Sequence, residues 1–396
     1  MERLLILTAG ELTRDPRARR AAEAARARGL DVAGLCTSGE TVVALDGVPV
    51  MRIGAVRVER VLRGAGLGGA TPSSALVREL RGLYRVLRHI VMTLRLMAAG
   101  RRLGRFDAVH ANDFDTLPAG YVLAHRLGAR LVYDTHEIYT LQETNPPRLY
   151  GRAVLAAERF LAKRADAVLT VNEEISDELR TLLRLDARPV VVLNCTALDP
   201  VEPDLDSGGP LRAVYQGAMG PGRFLDDLLA AAEAAPGIRL TIRVKGADSV
   251  TMREIVSRRG LAGRVDIADP VSPEHLVGAL RGFHVGLVIN RPVTRNDELV
   301  LPNKLFEYLM AGAAVVAPAL PSLSGLIERE HVGLTYPPGD TAALGAALTR
   351  LDQDRELLAV LRRDARAAAF SRLNAEAQAG LLEHAWRGSR RAAGAA

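Results

Sequence analysis

Cysteine is almost missing from this chain of 396 residues: only Cys36 and Cys195 occur, at no spacing that suits a pair. A disulfide framework and a zinc site are not indicated, and a reducing compartment, the cytoplasm, is the expected setting. Lysine is nearly as scarce. Of 52 basic residues 49 are arginine, leaving Lys163, Lys245 and Lys304. A lysine kept against that drift implies a use for a compact, strongly hydrated charge. Missing too is any uncharged run of membrane-spanning length. The opening Met1–Thr8 is too short an apolar run for a signal peptide and reads as a strand. No G-x-G-x-x-G fingerprint follows it, which argues against a dinucleotide dehydrogenase. The net charge is +6, but no basic patch is interleaved with aromatics, so nucleic acid is not an expected partner.

What the chain does have is apolar bulk, 48% of its residues, over a length that suits two domains of about 200 residues each. Leu4 to Leu7 and Val32 to Cys36 read as strands around an Ala/Arg-rich helix from Arg17 to Arg28, the βαβ opening of a doubly wound parallel sheet. Val42 to Ile53 reads as two short strands about an Asp46-Gly47 turn. The stretch 194–210, with three prolines, three aspartates and two adjacent glycines, has linker composition. A second series of strands and helices restarts at Leu211 and runs to Leu361, and Phe370 to Arg387 reads as one closing helix. The expected domains are 1–195 and 196–370.

The most informative stretch is Leu301-Pro-Asn-Lys-Leu-Phe-Glu-Tyr-Leu-Met-Ala-Gly312, followed directly by Ala313-Ala-Val-Val-Ala-Pro318. Pro302 suits a helix's first turn and Gly312 its stop, so a short helix over about 302–311 leads into a strand. Leu305, Phe306, Leu309 and Met310 make its buried face, while Lys304, Glu307 and Tyr308 share a second stripe by their three- and four-residue spacing. A lysine in a first helical turn opposes the macrodipole unless it has free solvent or an anion between it and the exposed N–H groups. A ligand phosphate would be such an anion. Glu307, one turn on, would accept from the two vicinal hydroxyls of a ribose. The alternative is a plain surface helix with a weak Lys304–Glu307 pair.

Other polar turns fall at the carboxyl ends of expected strands, where open α/β sheets bind ligands. Ala111-Asn-Asp-Phe-Asp-Thr116 brings Asp113, and Asp134-Thr-His-Glu-Ile138 brings His136 and Glu137. A histidine there can equally cap a helix through its ring. In the opening turn Gly10 would let a substrate approach the backbone, and Arg14 and Arg17 would meet an anionic group; a plain loop and helix cap is the other reading. Gln216-Gly-Ala-Met-Gly-Pro-Gly-Arg223 is a glycine-rich loop feeding a helix N-terminus, a phosphate cradle by geometry. Lys245 ends a strand at a sheet's carboxyl edge.

The 302–318 stretch resembles the nucleotide-sugar-binding helix of glycosyltransferase family 4, a group of retaining GT-B enzymes whose pattern Pro-Asn/Ser-Lys-Leu-Phe-Glu-Tyr-x-x-Ala-Gly precedes a Val-rich strand. The Arg-Asp-Pro-Arg opening of the first helix, the His-Glu turn and the glycine loop are similar to other segments of that family. The resemblance implies an α/β fold of the GT-B type, two doubly wound Rossmann-like domains facing a cleft, with 371–396 as a helix packing back on the N-terminal domain. It implies a metal-independent hexosyltransferase with no cofactor, a nucleotide diphosphate sugar (UDP- or GDP-linked) as co-substrate, and an acceptor of unnamed identity held by the N-terminal domain.

Residue by residue, the resemblance gives the ribose to Glu307 and a place by the anomeric centre to His136. Arg223 and Lys304 are expected at the leaving group, with Gly217, Lys245 and Asn303 on the donor side. Val271 joins them within the Asp269–Pro273 segment that frames the nucleobase. Gly10, Arg14, Asp113 and Glu137 make the expected acceptor side. Two positions depart from the pattern: Leu299 stands where many members carry a second glutamate, and Ala218 where the loop usually carries an arginine. Two rivals therefore stay in view, a nucleotide-sugar 2-epimerase and a catalytically silent sugar-nucleotide-binding subunit.

A helix from about Ser74 to Ala99 places Arg78, Arg81, Arg85, Arg88 and Arg95 opposite Leu80, Leu83, Leu87, Ile90 and Leu94. Such a helix can lie on an anionic membrane surface as a peripheral contact at the inner face. Burial of its leucine face in the domain core is the other expectation.

Overall fold

The computed structural model describes residues 2–12, 15–37, 48–53, 75–144, 146–204, 208–217, 225–244 and 247–388. The chain divides into two compact units, Met1–Leu193 with Ala379–Ala396, and Asn194–Gln378. Unit 1 opens with β1 (Arg3–Thr8), α1 (Pro16–Ala27), β2 (Asp31–Cys36), β3 (Val50–Arg52) and α2 (Ala75–Arg102). It continues through β4 (Ala108–Asn112), α3 (Asp113–Leu127), β5 (Arg130–Asp134), α4 (Arg148–Ala162), β6 (Ala167–Thr170), α5 (Glu173–Leu183) and β7 (Val190–Val191). The strands lie in the order β3-β2-β1-β4-β5-β6-β7, every neighbouring pair parallel. Helices cover both faces of such a sheet, which is why Leu4 to Leu7 run as an unbroken apolar series and are all buried. The order reverses between β1 and β4. Their carboxyl ends, Thr8 and Asn112, therefore border the crevice in which a doubly wound sheet takes its ligand.

Asp15 caps α1, accepting from the N–H groups of Arg17 (3.0 Å) and Ala18 (3.2 Å). Arg17, expected to meet an anion, turns inward instead. Its guanidinium grips Asp134 at 2.9 and 2.8 Å and donates to the Val192 carbonyl. Burial works against the Asp134 charge, but Arg17 and then His110 outweigh it and hold the carboxyl far below the usual range. The strand expected after the Asp46-Gly47 turn is β3, which joins β2 in parallel with Gly34 opposite Val50; residues 42–47 lie outside the described residues.

In α2 the expectation of a leucine face in the core is overturned. Leu80, Leu83, Leu87, Ile90 and Leu94 are exposed, while Arg78, Arg81, Arg85, Arg88 and Arg95 are half-buried. The inward stripe is Gly82, His89, Met92, Leu96 and Ala99. Small residues decide the matter, because they let the helix sit close. A Cβ on Gly82 would fall 2.8 Å from Pro147 Cβ beside α4, and one on Gly100 2.7 Å from Leu123 Cδ1 of α3. Arg85 reaches Glu143 (2.6 Å) and Arg95 the Ile53 carbonyl, their stems packed along the way.

Unit 2 holds β8 (Arg212–Gln216), α6 (Leu225–Ala234), β9 (Arg239–Arg243), α7 (Ala247–Arg258), β10 (Val265–Ala268), β11 (Val285–Leu287) and α8 (Arg295–Glu298). Then come α9 (Asn303–Met310), β12 (Ala314–Pro318), α10 (Pro321–Glu330), β13 (Gly333–Tyr336), α11 (Thr341–Gln353) and α12 (Arg355–Ser371). Its parallel sheet is ordered β10-β9-β8-β11-β12-β13, with the reversal between β8 and β11. The closing stretch is two helices rather than one: α13 (Ala375–Arg387) follows a break at Asn374. Asn374 Nδ2 donates to the carbonyls of Ala369 (2.9 Å) and Phe370 (3.0 Å), and its Oδ1 accepts from Ala377 N–H (2.8 Å). One side chain ends α12 and starts α13. Leu382, Ala385 and Trp386 of α13 pack in the core of unit 1.

Candidate active site

In unit 2 the 302–318 motif is built over the β8/β11 reversal. Pro302 takes the N-cap position of α9 with φ −76° and ψ 146°, and no side chain caps the helix there among the described residues. Of its first N–H groups, that of Leu305 turns back to the Pro302 carbonyl (3.0 Å). At the other end Gly312 (φ 72°) supplies the left-handed stop. Two buried guanidinium groups of α12 close that end: Arg362 Nε donates to the Gly312 carbonyl (2.9 Å) and Arg366 to that of Met310 (3.0 Å). The helix is thus fixed in place from its C-terminal end.

The β8 end is clasped by three residues of α9. Tyr308 was expected on the stripe of Lys304 and Glu307, but it is wholly buried. Its ring lies on β11, where a Cβ on Gly286 would fall 2.2 Å from it; its hydroxyl receives the Gln216 N–H (3.1 Å) and donates to the Leu287 carbonyl (3.2 Å). That hydroxyl therefore bridges β8 to β11, and burial raises its pKa well above the ordinary value. Glu307 accepts from Gln216 Nε2, and Lys304 Nζ stands 4.2 Å over the Tyr215 ring. A Cβ on Gly217 would come within 2.7 Å of that ammonium. Lys304, Glu307 and Gly217 are thus brought together beside the uncapped turn, all half-buried.

Asn303 turns aside to accept from Asn194 Nδ2 (2.6 Å). Val271 is half-buried just past the edge strand β10. At the position of the family's second glutamate, Leu299 is buried and its carbonyl accepts from Ser322 Oγ (2.9 Å), while Glu298 pairs with Arg295 (2.6 Å). Ala218, Arg223 and Lys245 lie outside the described residues, as does Arg14 in unit 1.

In unit 1 the His-Glu turn meets the end of β4. Asp113 opens α3 with φ 55°, a conformation that aspartate tolerates better than most residues. It accepts the His136 N–H (2.9 Å) and lies 3.4 Å from His136 Nδ1; His136 Nε2 is 3.2 Å from Asn112 Oδ1. The ring is therefore held on two sides at the β1/β4 reversal. Glu137 is exposed, and its carbonyl accepts from Thr135 Oγ1 (2.7 Å). Gly10 is exposed too; a Cβ there would stand 4.0 Å from Thr8 Oγ1.

Beside this pair opens a cavity of about 330 Å³, lined among others by Arg85, Arg88, Asp113, Asp115, Tyr139 and Tyr150. Its wall is a polar network: His89 Nε2 lies 2.9 Å from the Tyr150 hydroxyl, and Tyr139 donates to Asp115 (3.3 Å). Burial lowers the His89 pKa, Asp115 opposes that, and Arg88 and Arg85 add to it. Sequence reading missed this cavity, because His89, Asp115, Tyr139 and Tyr150 come from four separate elements. It also missed Gln216 and Asn112, for which the strand-end position was the available signal. Among the described residues no group of three or more His, Cys, Asp or Glu side chains is placed to hold a metal ion.

Both units gather polar side chains at a sheet reversal, and comparison with known proteins says to what class of protein they belong. Residues 15–196 match the glycosyl transferase 4-like domain and residues 223–383 a glycosyl transferase-like domain. The chain belongs to this family: it is a family 4-like GT-B glycosyltransferase, moving a sugar from a nucleotide sugar. It is similar to the 2-deoxystreptamine N-acetyl-D-glucosaminyltransferase of Streptomyces fradiae, 27% identical over 73% of this chain and 74% of that one. The alpha-D-kanosaminyltransferase of Streptomyces kanamyceticus is 25% identical over 74% and 76%. Among solved structures, sucrose-phosphate synthase of Thermosynechococcus elongatus shares the fold with a TM-score of 0.72, at 17% identity over 98% of each chain. Anabaena HepE in complex with UDP does so with a TM-score of 0.70, at 16% identity over 97% and 99%. Against these transferases neither the epimerase nor the silent subunit is favoured.

Proposed function

We propose that the protein is a retaining, metal-independent hexosyltransferase that takes a UDP-sugar in unit 2 and a polyhydroxylated acceptor in unit 1. The observation that carries the donor half is the convergence of Lys304, Glu307 and Gly217 on the uncapped N-terminus of α9. As the bond from the anomeric carbon to the diphosphate breaks, negative charge gathers on the departing oxygen and the sugar ring turns positive. Lys304 and the positive end of the α9 dipole stabilise that oxygen, joined by Arg223 and Lys245. A carboxylate has about four lone-pair sites, so Glu307 can serve the ribose hydroxyls as well as Gln216. Asn303 and Val271 complete the donor side. His136, held by Asn112 and Asp113, is the residue of unit 1 assigned to the transferred sugar. The acceptor hydroxyl attacks on the face that the diphosphate leaves and passes its proton to a phosphate oxygen, so configuration is kept without a protein base.

Uridine is supported by HepE, which shares the fold and was solved with UDP and with UDP-glucose. For the acceptor, the cavity in unit 1 offers carboxylates and phenol hydroxyls, which suit a polyol or an amino polyol; Gly10, Arg14 and Glu137 are assigned to the same acceptor. The Streptomyces fradiae relative is named for 2-deoxystreptamine, a molecule of that chemistry. The two buried thiols, Cys36 and Cys195, support a cytoplasmic setting. Titration calorimetry with UDP and GDP tests the donor half. UDP should bind more tightly, and Glu307→Gln should weaken it by about 1.5–3 kcal/mol, the worth of hydrogen bonds to a charged group. Unchanged affinity removes the ribose from Glu307, and a preference for GDP removes uridine.

A further inference from the structure

The longest helix of unit 1, α2, has apolar residues on two opposite sides, more than one packed face requires. The inner stripe is spent on α3 and α4. The outer one, Leu80, Leu83, Leu87, Ile90, Val91 and Leu94, stands 39–59% exposed. From Leu80 to Leu94 it covers about 21 Å of helix. Leu149 at the start of α4, 68% exposed, extends the patch, because Glu79 accepts the N–H groups of Arg148 (2.8 Å) and Leu149 (3.2 Å) and ties the helices together there. A contiguous apolar patch of this kind marks a contact surface.

Charge says what covers it. The helix carries seven arginines against one glutamate, and that glutamate is committed to α4. Arg101 and Arg102 at its end, and Arg148 and Arg152 on α4, are exposed. A second copy of the chain would bring the same basic helix face to face with itself, a like-charge repulsion. An anionic bilayer complements both features: its acyl region takes the leucines, and its phosphates take guanidinium groups whose stems run beside them. We propose that the leucine face of α2 docks on the surface of an anionic membrane. The inserted side chains are then the leucines for which the sequence left a membrane surface and the domain core both open, and the proposal stands independently of the donor assignment.

The test is co-sedimentation of the full chain with phosphatidylcholine vesicles, with and without phosphatidylglycerol, at low ionic strength. The protein should pellet only with the anionic vesicles and be released by salt. The triple variant Leu83→Gln, Leu87→Gln and Leu94→Gln touches exposed positions, so it should keep the wild-type melting temperature while its vesicle affinity drops about a hundredfold. Three results overturn the proposal: wild-type protein that stays in solution, a triple variant that pellets as wild type does, or a lipid-free dimer in sedimentation velocity that the triple variant abolishes.

Discussion

One narrow margin in the donor site is that between Gly217 and Lys304. A methyl group at position 217 would fall 2.7 Å from Nζ and 2.9 Å from the Tyr215 hydroxyl. The end of a lysine yields cheaply but the ring of the buried Tyr215 does not, so Gly217→Ala should cost some stability as well as move the Lys304 ammonium from its station over Tyr215. Lys304→Ala is expected to lower kcat by roughly a hundredfold or more with a smaller change in KM, as single donors at a leaving group do. Gly217→Ala should share that signature in part, and Lys304→Arg should rescue little, since a planar fork needs room that a compact ammonium does not. A Gly217→Ala enzyme with wild-type kcat would place Lys304 away from the reacting oxygen. The motif was legible here because Pro302, Lys304, Glu307 and Gly312 each follow a local rule of helix ends and charge. Tyr308 was not, since helical spacing sets it beside Lys304 and only the slot above Gly286 draws it inward.

At the scale of elements the sequence marked where helices run better than which way they face. The period of α2 was plain, yet two stripes compete for the core, and the winner is set by Gly82 and Gly100 meeting particular neighbours. Burial inside α4 makes a measurable consequence. Glu158 is 1% exposed and accepts from the Tyr133 hydroxyl at 2.7 Å. Burial pushes its carboxyl up to about 7, against the pull of that hydrogen bond. An acid whose folded pKa exceeds its unfolded value keeps a proton that the unfolded chain releases. Stability is therefore complete below about pH 4.5 and is lost as pH rises to about 7, roughly 3 kcal/mol in all. Glu158→Gln retains an acceptor for Tyr133 and cannot ionise. It should melt above wild type at pH 8 and close to it at pH 5, and a gap that does not grow with pH would show that Glu158 folds already ionised.

For the whole molecule, alternating strands and helices made two parallel sheets legible, and the Pro/Asp/Gly-rich stretch after 194 lies where the chain leaves unit 1. What the sequence could not display is how the last helix completes a core begun at the first strand. The partners lie far apart along the chain: Trp386 Nε1 donates to His110 Nδ1 at 3.0 Å, and Arg130 Nε to the Ala385 carbonyl at 2.6 Å. Beneath them His110 Nε2 lies 3.2 Å from Asp134, the carboxylate that Arg17 grips. Ending the chain after Gln378 would strip the Trp386 ring from that core and leave buried polar groups unpaired. Loss of a buried Trp side chain alone costs about 3–5 kcal/mol. Trp386→Phe keeps a ring but leaves the histidine nitrogen without its donor, about 1–3 kcal/mol. Amide hydrogen exchange should then show β1, β4 and β5 losing protection in the order truncation, Trp386→Phe, wild type, while β8 and β11 keep theirs. Equal loss in both units would mean that α13 supports the molecule as one body, and no loss would mean that unit 1 closes without it.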